Sequence, residues 1–99
     1  MARSTKLATG DVAEAMGELH QDWDLVNGKL HRELTFGSFA SAFGFMTTIA
    51  IVAEKMDHHP EWSNVYNRVT IDLVTHDANG ITELDIALAA AIDAEYSTT

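Results

Sequence analysis

The stretch of sequence that decides the fold is SFASAFGFMTTIAIVAEKMDHHP, residues 38–60. Ser38 is a favourable N-cap residue, because its hydroxyl can accept from the free N–H groups of a first helical turn. The apolar residues that follow recur at helical spacing and predict a long helix to about Met56. His58-His59-Pro60 ends the stretch, and proline pushes the residue before it, His59, toward extended geometry.

This long helix is apolar over more than one stripe. Phe45, Val52 and Met56 lie beside the main stripe, and a helix that is apolar over so much of its circumference is usually buried on more than one side. In a chain of 99 residues the second side is most simply covered by another subunit. The alternative, that Phe45 and Val52 only edge the intramolecular core, stays open. The main stripe consists of Phe39, Ala42, Phe43, Met46, Ile49, Ala50 and Ala53.

Local signals on both sides of the long helix predict the other elements. The pair Asn27-Gly28 tolerates the positive φ values of a type I′ turn and predicts a hairpin over residues 23–34. Thr82 with Asp85 three residues later is a capping-box variant and predicts the start of a last helix. The remaining expected elements are a helix over residues 10–19 capped by Asp11, a strand over Trp62–Tyr66, a turn at Asn67-Arg68, a strand to Thr75 and a loop over residues 76–80.

The order of these elements is helix, two strands, helix, two strands, helix. This order is typical of an α+β domain in which helices cover one face of an antiparallel sheet. We therefore expect a single two-layer domain over residues 1–99, with a four-stranded antiparallel sheet and three helices on one face.

Composition excludes several classes of function. Fifteen acidic residues against six basic ones give a net charge of -9, which repels phosphate backbones and argues against nucleic-acid binding and against a polybasic membrane contact. The absence of cysteine removes thiolate metal sites and thiol nucleophiles. No signal peptide is visible, and the apolar stretch Phe43 to Ala53 is too short to span a bilayer. We expect a soluble cytoplasmic protein, with a nuclear location left open.

Three histidines fall where this fold can bring them together. His58 and His59 follow the long helix, and His76 follows the last strand. Imidazoles titrate near neutral pH, so such a group can supply both an acid and a base for proton transfer. Carboxylates beside them would fix their tautomers, and an aromatic ring could stack on a planar heterocycle. The candidate neighbours are Glu54, Asp57, Asp85 and Trp62.

Two other interpretations of the histidines stay open at this point. Histidine with aspartate or glutamate is acceptable zinc or iron chemistry, although neither His-X-His nor His-Glu-X-X-His spacing is present. The histidines could also be structural, because a protonated imidazole is favourable at a helix C-terminus. His20 and His31 lie outside the group, and we expect them on the solvated surface. The chain contains no glycine-rich phosphate loop and no nucleophile elbow.

Residues 43–93, FGFMTTIAIVAEKMDHHPEWSNVYNRVTIDLVTHDANGITELDIALAAAID, strongly resemble the pterin-4a-carbinolamine dehydratases. The family pattern is an acidic or similar residue, three spacers, His-His-Pro, an aromatic residue, a histidine and an aspartate. Here it is matched by Glu54, His58-His59-Pro60, Tyr66, His76 and Asp85. The first 35 residues match the family only loosely.

The resemblance implies a dehydratase that removes water from 4a-hydroxytetrahydropterin to give quinonoid dihydropterin, without a metal or redox cofactor. That reaction recycles the pterin of aromatic amino-acid hydroxylases. The resemblance also implies an α+β fold, and homodimers or homotetramers formed through the long helix 38–57 and the sheet edges. The implied catalytic residues are His58, His59 and His76, with Glu54 and Asp85 orienting them. The implied pterin contacts are Asp57, His58, His59, Pro60, Trp62, Val74, Thr75 and His76.

A second class of function is also represented in this family. Some animal members bind the dimerisation helices of a homeodomain transcription factor and stabilise its dimer through the long-helix surface. Nothing in the sequence selects for this role, and the complete histidine set favours an enzyme.

Overall fold

The computed structural model describes residues 5–99 and confirms the expected architecture and element order. The four strands are β1 (Asp24–Val26), β2 (Lys29–Thr35), β3 (Glu61–Val65) and β4 (Arg68–Leu73). They form one antiparallel sheet in the order β1-β2-β4-β3. The helices are α1 (Thr9–Met16), α2 (Phe39–Met56) and α3 (Glu83–Tyr96), and a single 3-10 turn covers His76–Ala78.

The core lies between one face of the sheet and the helices. Alternate residues of β2 and β4 point into it, and the other sheet face stays open to solvent. On α2 the inward side is a single stripe of four buried residues. The fully buried apolar side chains include Leu30, Leu34, Ile49, Val69, Ile71, Leu73, Leu88 and Ile92.

Local turn and cap chemistry places the elements largely as the sequence predicts. Asn27 and Gly28 both have positive φ, as a type I′ turn requires. The side chain of Ser38 accepts from the N–H of Ser41 and caps α2. Thr82 and Asp85 form a reciprocal capping box at the start of α3.

Three local predictions are wrong. Asp11 does not cap α1, because the helix already begins at Thr9 after an extended Ala8, which places Asp11 inside the first turn. The helix also ends at Met16, three residues before its predicted end. The turn between β3 and β4 falls on Tyr66 and Asn67 instead of Asn67-Arg68. Arg68 is the first residue of β4 and pairs with the last residue of β3.

The faces of α2 are also distributed differently from the prediction. Phe45 is buried and Val52 packs against the core, whereas Phe39 and Phe43 of the predicted core stripe are exposed. Ala50 of the same stripe is exposed as well. By length and composition alone, α2 could cross a membrane; in the structure four of its residues are buried in the core of the domain.

Candidate functional site

A cavity of about 230 Å³ lies where the end of α2 meets the segment after β4. Two short stretches of chain line it, one from each of these elements. All three histidines predicted to do chemistry are among the lining residues, together with three of the expected contact residues. The lining consists of Asp57, His58, His59, Val74, Thr75, His76 and Asp77.

A specific helix terminus places the first of these stretches. The N–H of His58 donates to the carbonyl of Ala53 at 3.0 Å, and the N–H of Asp57 donates to the carbonyl of Glu54 at 3.1 Å. Asp57 has φ 51° and ψ 42°, the left-handed conformation. Together these features form a Schellman motif in which aspartate stands where glycine is usual. A non-glycine residue in this conformation carries backbone strain of the kind often found at functional sites. The chain thus turns at Asp57, three residues before Pro60.

His58 and Asp85 form a buried pair at the base of the cavity. His58 Nε2 lies 2.6 Å from Asp85 Oδ1, and the two side chains are 8% and 0% exposed. An ionised carboxylate can only accept, and with Asp85 in that state the hydrogen of this bond lies on Nε2 of the imidazole. His58 Nδ1 is then the ring nitrogen left for other chemistry.

The second oxygen of Asp85 is held by the loop that precedes α3. Oδ2 accepts from the hydroxyl of Thr75 at 2.8 Å and from the N–H of Thr82 at 2.9 Å. The hydroxyls of Thr75 and Thr82 lie 2.8 Å apart. The capping box of α3 therefore also holds the carboxylate that faces His58, which couples the start of a helix to the cavity.

His59 and Glu54 form a second pair, at the surface. His59 Nε2 lies 2.8 Å from Glu54 Oε1, and both side chains are largely exposed. Glu54 lies in the last turn of α2, and the Schellman turn brings the histidine back over it. This pair holds the His59 ring without burying it.

His76 has a carboxylate partner that the sequence analysis missed. Its Nε2 lies 2.8 Å from Oε2 of Glu61, the first residue of β3. Glu61 Oε1 in turn accepts from Lys29 Nζ at 2.5 Å. The hydrogen bond from Lys29, and after it the one from His76, holds the pKa of Glu61 below its ordinary value of 4.5. The position of Glu61 directly after His58-His59-Pro60 was a usable signal, whereas Lys29 is brought near only by the strand order.

Other predicted contacts lie outside the cavity lining. Trp62 is half-buried and packs against the apolar core, on the sheet face opposite to Glu61. Pro60 is also half-buried and does not line the cavity. Of the remaining histidines, His20 is exposed, as expected, and His31 is half-buried and pairs with Asp72 on the open sheet face at 2.8 Å.

A larger groove lies elsewhere and carries different chemistry. This groove of about 560 Å³ between α1 and α3 is lined by apolar residues and by four acidic ones, with no histidine. Within residues 5–99, no three histidine, aspartate or glutamate side chains converge as a metal site would need. The histidines of the smaller cavity each face a separate carboxylate, an arrangement that suits proton transfer.

Comparisons with known proteins point to one family. Residues 5–95 match the sequence profile described as pterin 4 alpha carbinolamine dehydratase. A protein of Solibacter usitatus, provisionally named a pterin-4-alpha-carbinolamine dehydratase, is 58% identical over 91 residues, which are 92% of this chain and 95% of that protein. A provisionally so named protein of Paraburkholderia xenovorans is 51% identical over 89% of this chain and 93% of its own.

Two solved structures share the fold. One is described as a transcriptional coactivator/pterin dehydratase from Brucella melitensis, with a TM-score of 0.88 and 45% identity over 93% of this chain and 99% of that one. The other, a pterin dehydratase-like protein identified as a RuBisCO assembly factor in the alpha-carboxysome, has a TM-score of 0.67 and 25% identity over 81% of this chain and 95% of that one. The match over residues 5–95, together with the identities above, shows that this chain belongs to the pterin-4a-carbinolamine dehydratase family.

Proposed function

We propose that the protein is a pterin-4a-carbinolamine dehydratase that removes water from 4a-hydroxytetrahydropterin by histidine acid/base catalysis. The observation that carries the proposal is the cavity lined by His58, His59 and His76, each held by its own carboxylate. Its volume of about 230 Å³ and its open mouth suit a small planar heterocycle.

The reaction needs two proton movements. The proton on N5 of the pterin passes to a base while the N5–C4a double bond forms, and the C4a–O bond breaks. The departing oxygen takes a proton from an acid and leaves as water. Each well-placed acid or base contributes about 10²–10⁴-fold to the rate, so a group of imidazoles meets the whole chemical demand.

We assign the acid/base nearest the 4a-hydroxyl to His58, with His76 assisting it. Asp85 occupies His58 Nε2, so the proton would pass through Nδ1. His59 and the backbone groups of Asp57 and Thr75 would hold the pterin. Glu54 and Asp85 would orient the imidazoles that they contact, and Val74 would supply apolar wall.

A stopped-flow dehydration assay, run with and without EDTA, tests the proposal. Turnover that is insensitive to the chelator supports the dehydratase. Turnover that the chelator abolishes would make the protein a metal enzyme, and absence of turnover would favour a binding role.

Single substitutions test the assigned residues in the same assay. We expect His58→Ala and His76→Ala each to lower kcat by more than about tenfold, with a smaller effect on pterin binding. His31→Ala is the matched control, because its imidazole also pairs with a carboxylate but lies outside the cavity. Unchanged turnover in His58→Ala would overturn its assignment.

We further propose that the protein acts as a homodimer or homotetramer, as the family resemblance implies. One side of α2 presents Phe39, Phe43 and Ile51 to solvent in the single copy, and the Phe39 and Phe43 rings lie 5.8 Å apart. Several large exposed apolar side chains on one side of a helix are typical of a subunit interface. The outer strands of the sheet, β1 and β3, are the edges available for further pairing.

Light scattering on the wild type and on Phe43→Asp tests this assembly. We expect a mass of two or four chains for the wild type and a smaller mass for the variant, with Glu33→Asp on the open sheet face as a control. A wild type that scatters as a single chain would overturn the proposal.

An interaction role is the alternative, and it is kept because one solved relative is described as a transcriptional coactivator/pterin dehydratase. Such a role would use the exposed side of α2 and would not need the histidines. A His58→Ala variant that keeps its partner while turnover falls would separate the two functions.

A further inference from the structure

The ring of His76 is held in place by very little besides Glu61. The His76 side chain is 75% exposed and follows β4 in a short 3-10 turn, so packing does not fix its orientation. Within the part of the chain that the structure describes, its ring nitrogens have one hydrogen-bond partner, Glu61 Oε2 at 2.8 Å. A catalytic imidazole with this exposure needs such a partner to keep one orientation and one tautomer.

Glu61 itself is fixed at both oxygens. Oε1 accepts from the Lys29 ammonium group, which can only donate, and Oε2 faces His76. With a donor at Oε1, and with its pKa held low by the Lys29 hydrogen bond, Glu61 stays an ionised acceptor through the neutral range. The hydrogen of the bond to His76 must therefore sit on the imidazole.

We propose that Glu61, held by Lys29, is a positioning residue that keeps the hydrogen of His76 on Nε2 and leaves Nδ1 as the nitrogen that exchanges a proton with the substrate. The inference rests on the proposed function. It adds two supporting residues to the site, one at the start of β3 and one at the start of β2, two strands that lie on either side of β4.

Neighbouring charges supply a matched control. Asp72 lies directly across the strand pair from Glu61 and faces the same open side of the sheet. It contacts His31 at 2.8 Å, which makes a second carboxylate–imidazole pair on that side, outside the cavity. Glu61→Gln and Asp72→Asn thus remove the same charge from adjacent positions, and only the first touches His76.

The experiment combines a readout on the resting protein with one on turnover. The ¹⁵N signals of the His76 and His31 ring nitrogens are recorded on full-length wild type, Glu61→Gln and Asp72→Asn at about pH 8, where histidine is ordinarily neutral. In Glu61→Gln we expect the separation between the two His76 signals to narrow, because both tautomers become populated. We expect kcat to fall about tenfold, with KM changed less than about twofold.

In Asp72→Asn we expect only the His31 signals to move and turnover to stay at the wild-type value. If the His76 signals of Glu61→Gln match those of an active wild type, or if kcat is unchanged, the inference is overturned. If the wild type does not dehydrate 4a-hydroxytetrahydropterin while Glu61→Gln still changes the His76 signals, the proposed function fails and the placement of the His76 proton by Glu61 stands.

Discussion

Two of the three carboxylate–imidazole pairs at the cavity are chemically alike and physically different. His58–Asp85 has a 2.6 Å contact and almost no exposure, whereas His76–Glu61 has a 2.8 Å contact with side chains 75% and 42% exposed. The buried pair is tied into the helix cap of α3, and the exposed pair is tied to one lysine on β2. The same kind of pair is thus part of the core at His58 and lies at the surface at His76.

The largest difference between the two pairs should be the loss of stability when the carboxylate is removed. Asp85→Ala leaves the His58 ring and the Thr82 N–H without their partner in a buried place, and breaking such a pair costs about 3 kcal/mol or more of unfolding free energy. Glu61→Ala leaves Lys29 and His76 in contact with water, so the loss of unfolding free energy should be far smaller. Urea denaturation of both variants measures the difference.

The control for the buried pair is Glu83→Ala, which removes an exposed acidic residue from the same helical turn as Asp85. We expect its free energy of unfolding to be close to that of the wild type. Equal losses for Asp85→Ala and Glu61→Ala would contradict the distinction between the pairs.

A smaller effect should come from the hydroxyl that supports the buried carboxylate. Thr75→Val keeps the shape of the side chain but removes the donor to Asp85 Oδ2 and the contact with Thr82 Oγ1. Loss of a buried hydrogen bond of this kind costs about 1–2 kcal/mol. Thr70→Val on the open sheet face is the matched control, and thermal denaturation of the two variants compares them. If both variants lost the same stability, the Thr75 hydroxyl would have no special place in the network.

How much of the fold and of the site could be predicted from the sequence depends on how local each signal is. Ser38, the Asn27-Gly28 turn and the Thr82–Asp85 capping box act within a few residues, and each is confirmed where the sequence predicts it. Phe39 and Phe43 were wrongly assigned to the inward face of α2. When a helix is apolar around most of its circumference, the spacing of its apolar residues does not show which side faces the core.

The carboxylate partners of the site show the same limit. Glu54 was identified because it precedes His58 by one helical turn, and Asp85 because the start of the last helix can face the same end of the domain; the family pattern also includes both. The contact between Glu61 and Lys29 joins residues 32 positions apart and depends on β4 lying between β2 and β3. Strand order is a property of the whole fold, so local spacing could not reveal this contact.

The smallest effect we expect is the pH dependence of the exposed Lys29–Glu61 pair. The hydrogen bond from Lys29 lowers the pKa of Glu61 below 4.5, so its contribution to stability is present above that pH and is lost as the pH falls through the lowered value. The hydrogen bond to Glu61 raises the pKa of Lys29 above 10.5, so its contribution is present below that pH and is lost as the pH rises through the raised value.

The stability difference between the wild type and Lys29→Met should therefore be constant across the neutral range and shrink at both extremes. It should also shrink in about 1 M salt, because an exposed ion pair is screened. Urea denaturation of both proteins across this pH range measures it, with Lys55→Met on α2 as the control for losing a lysine. If the stability difference persisted at a pH below the lowered pKa of Glu61, Lys29 would stabilise the fold by packing its methylene chain and not through the carboxylate. The His58–Asp85 and His76–Glu61 pairs would then differ only in burial.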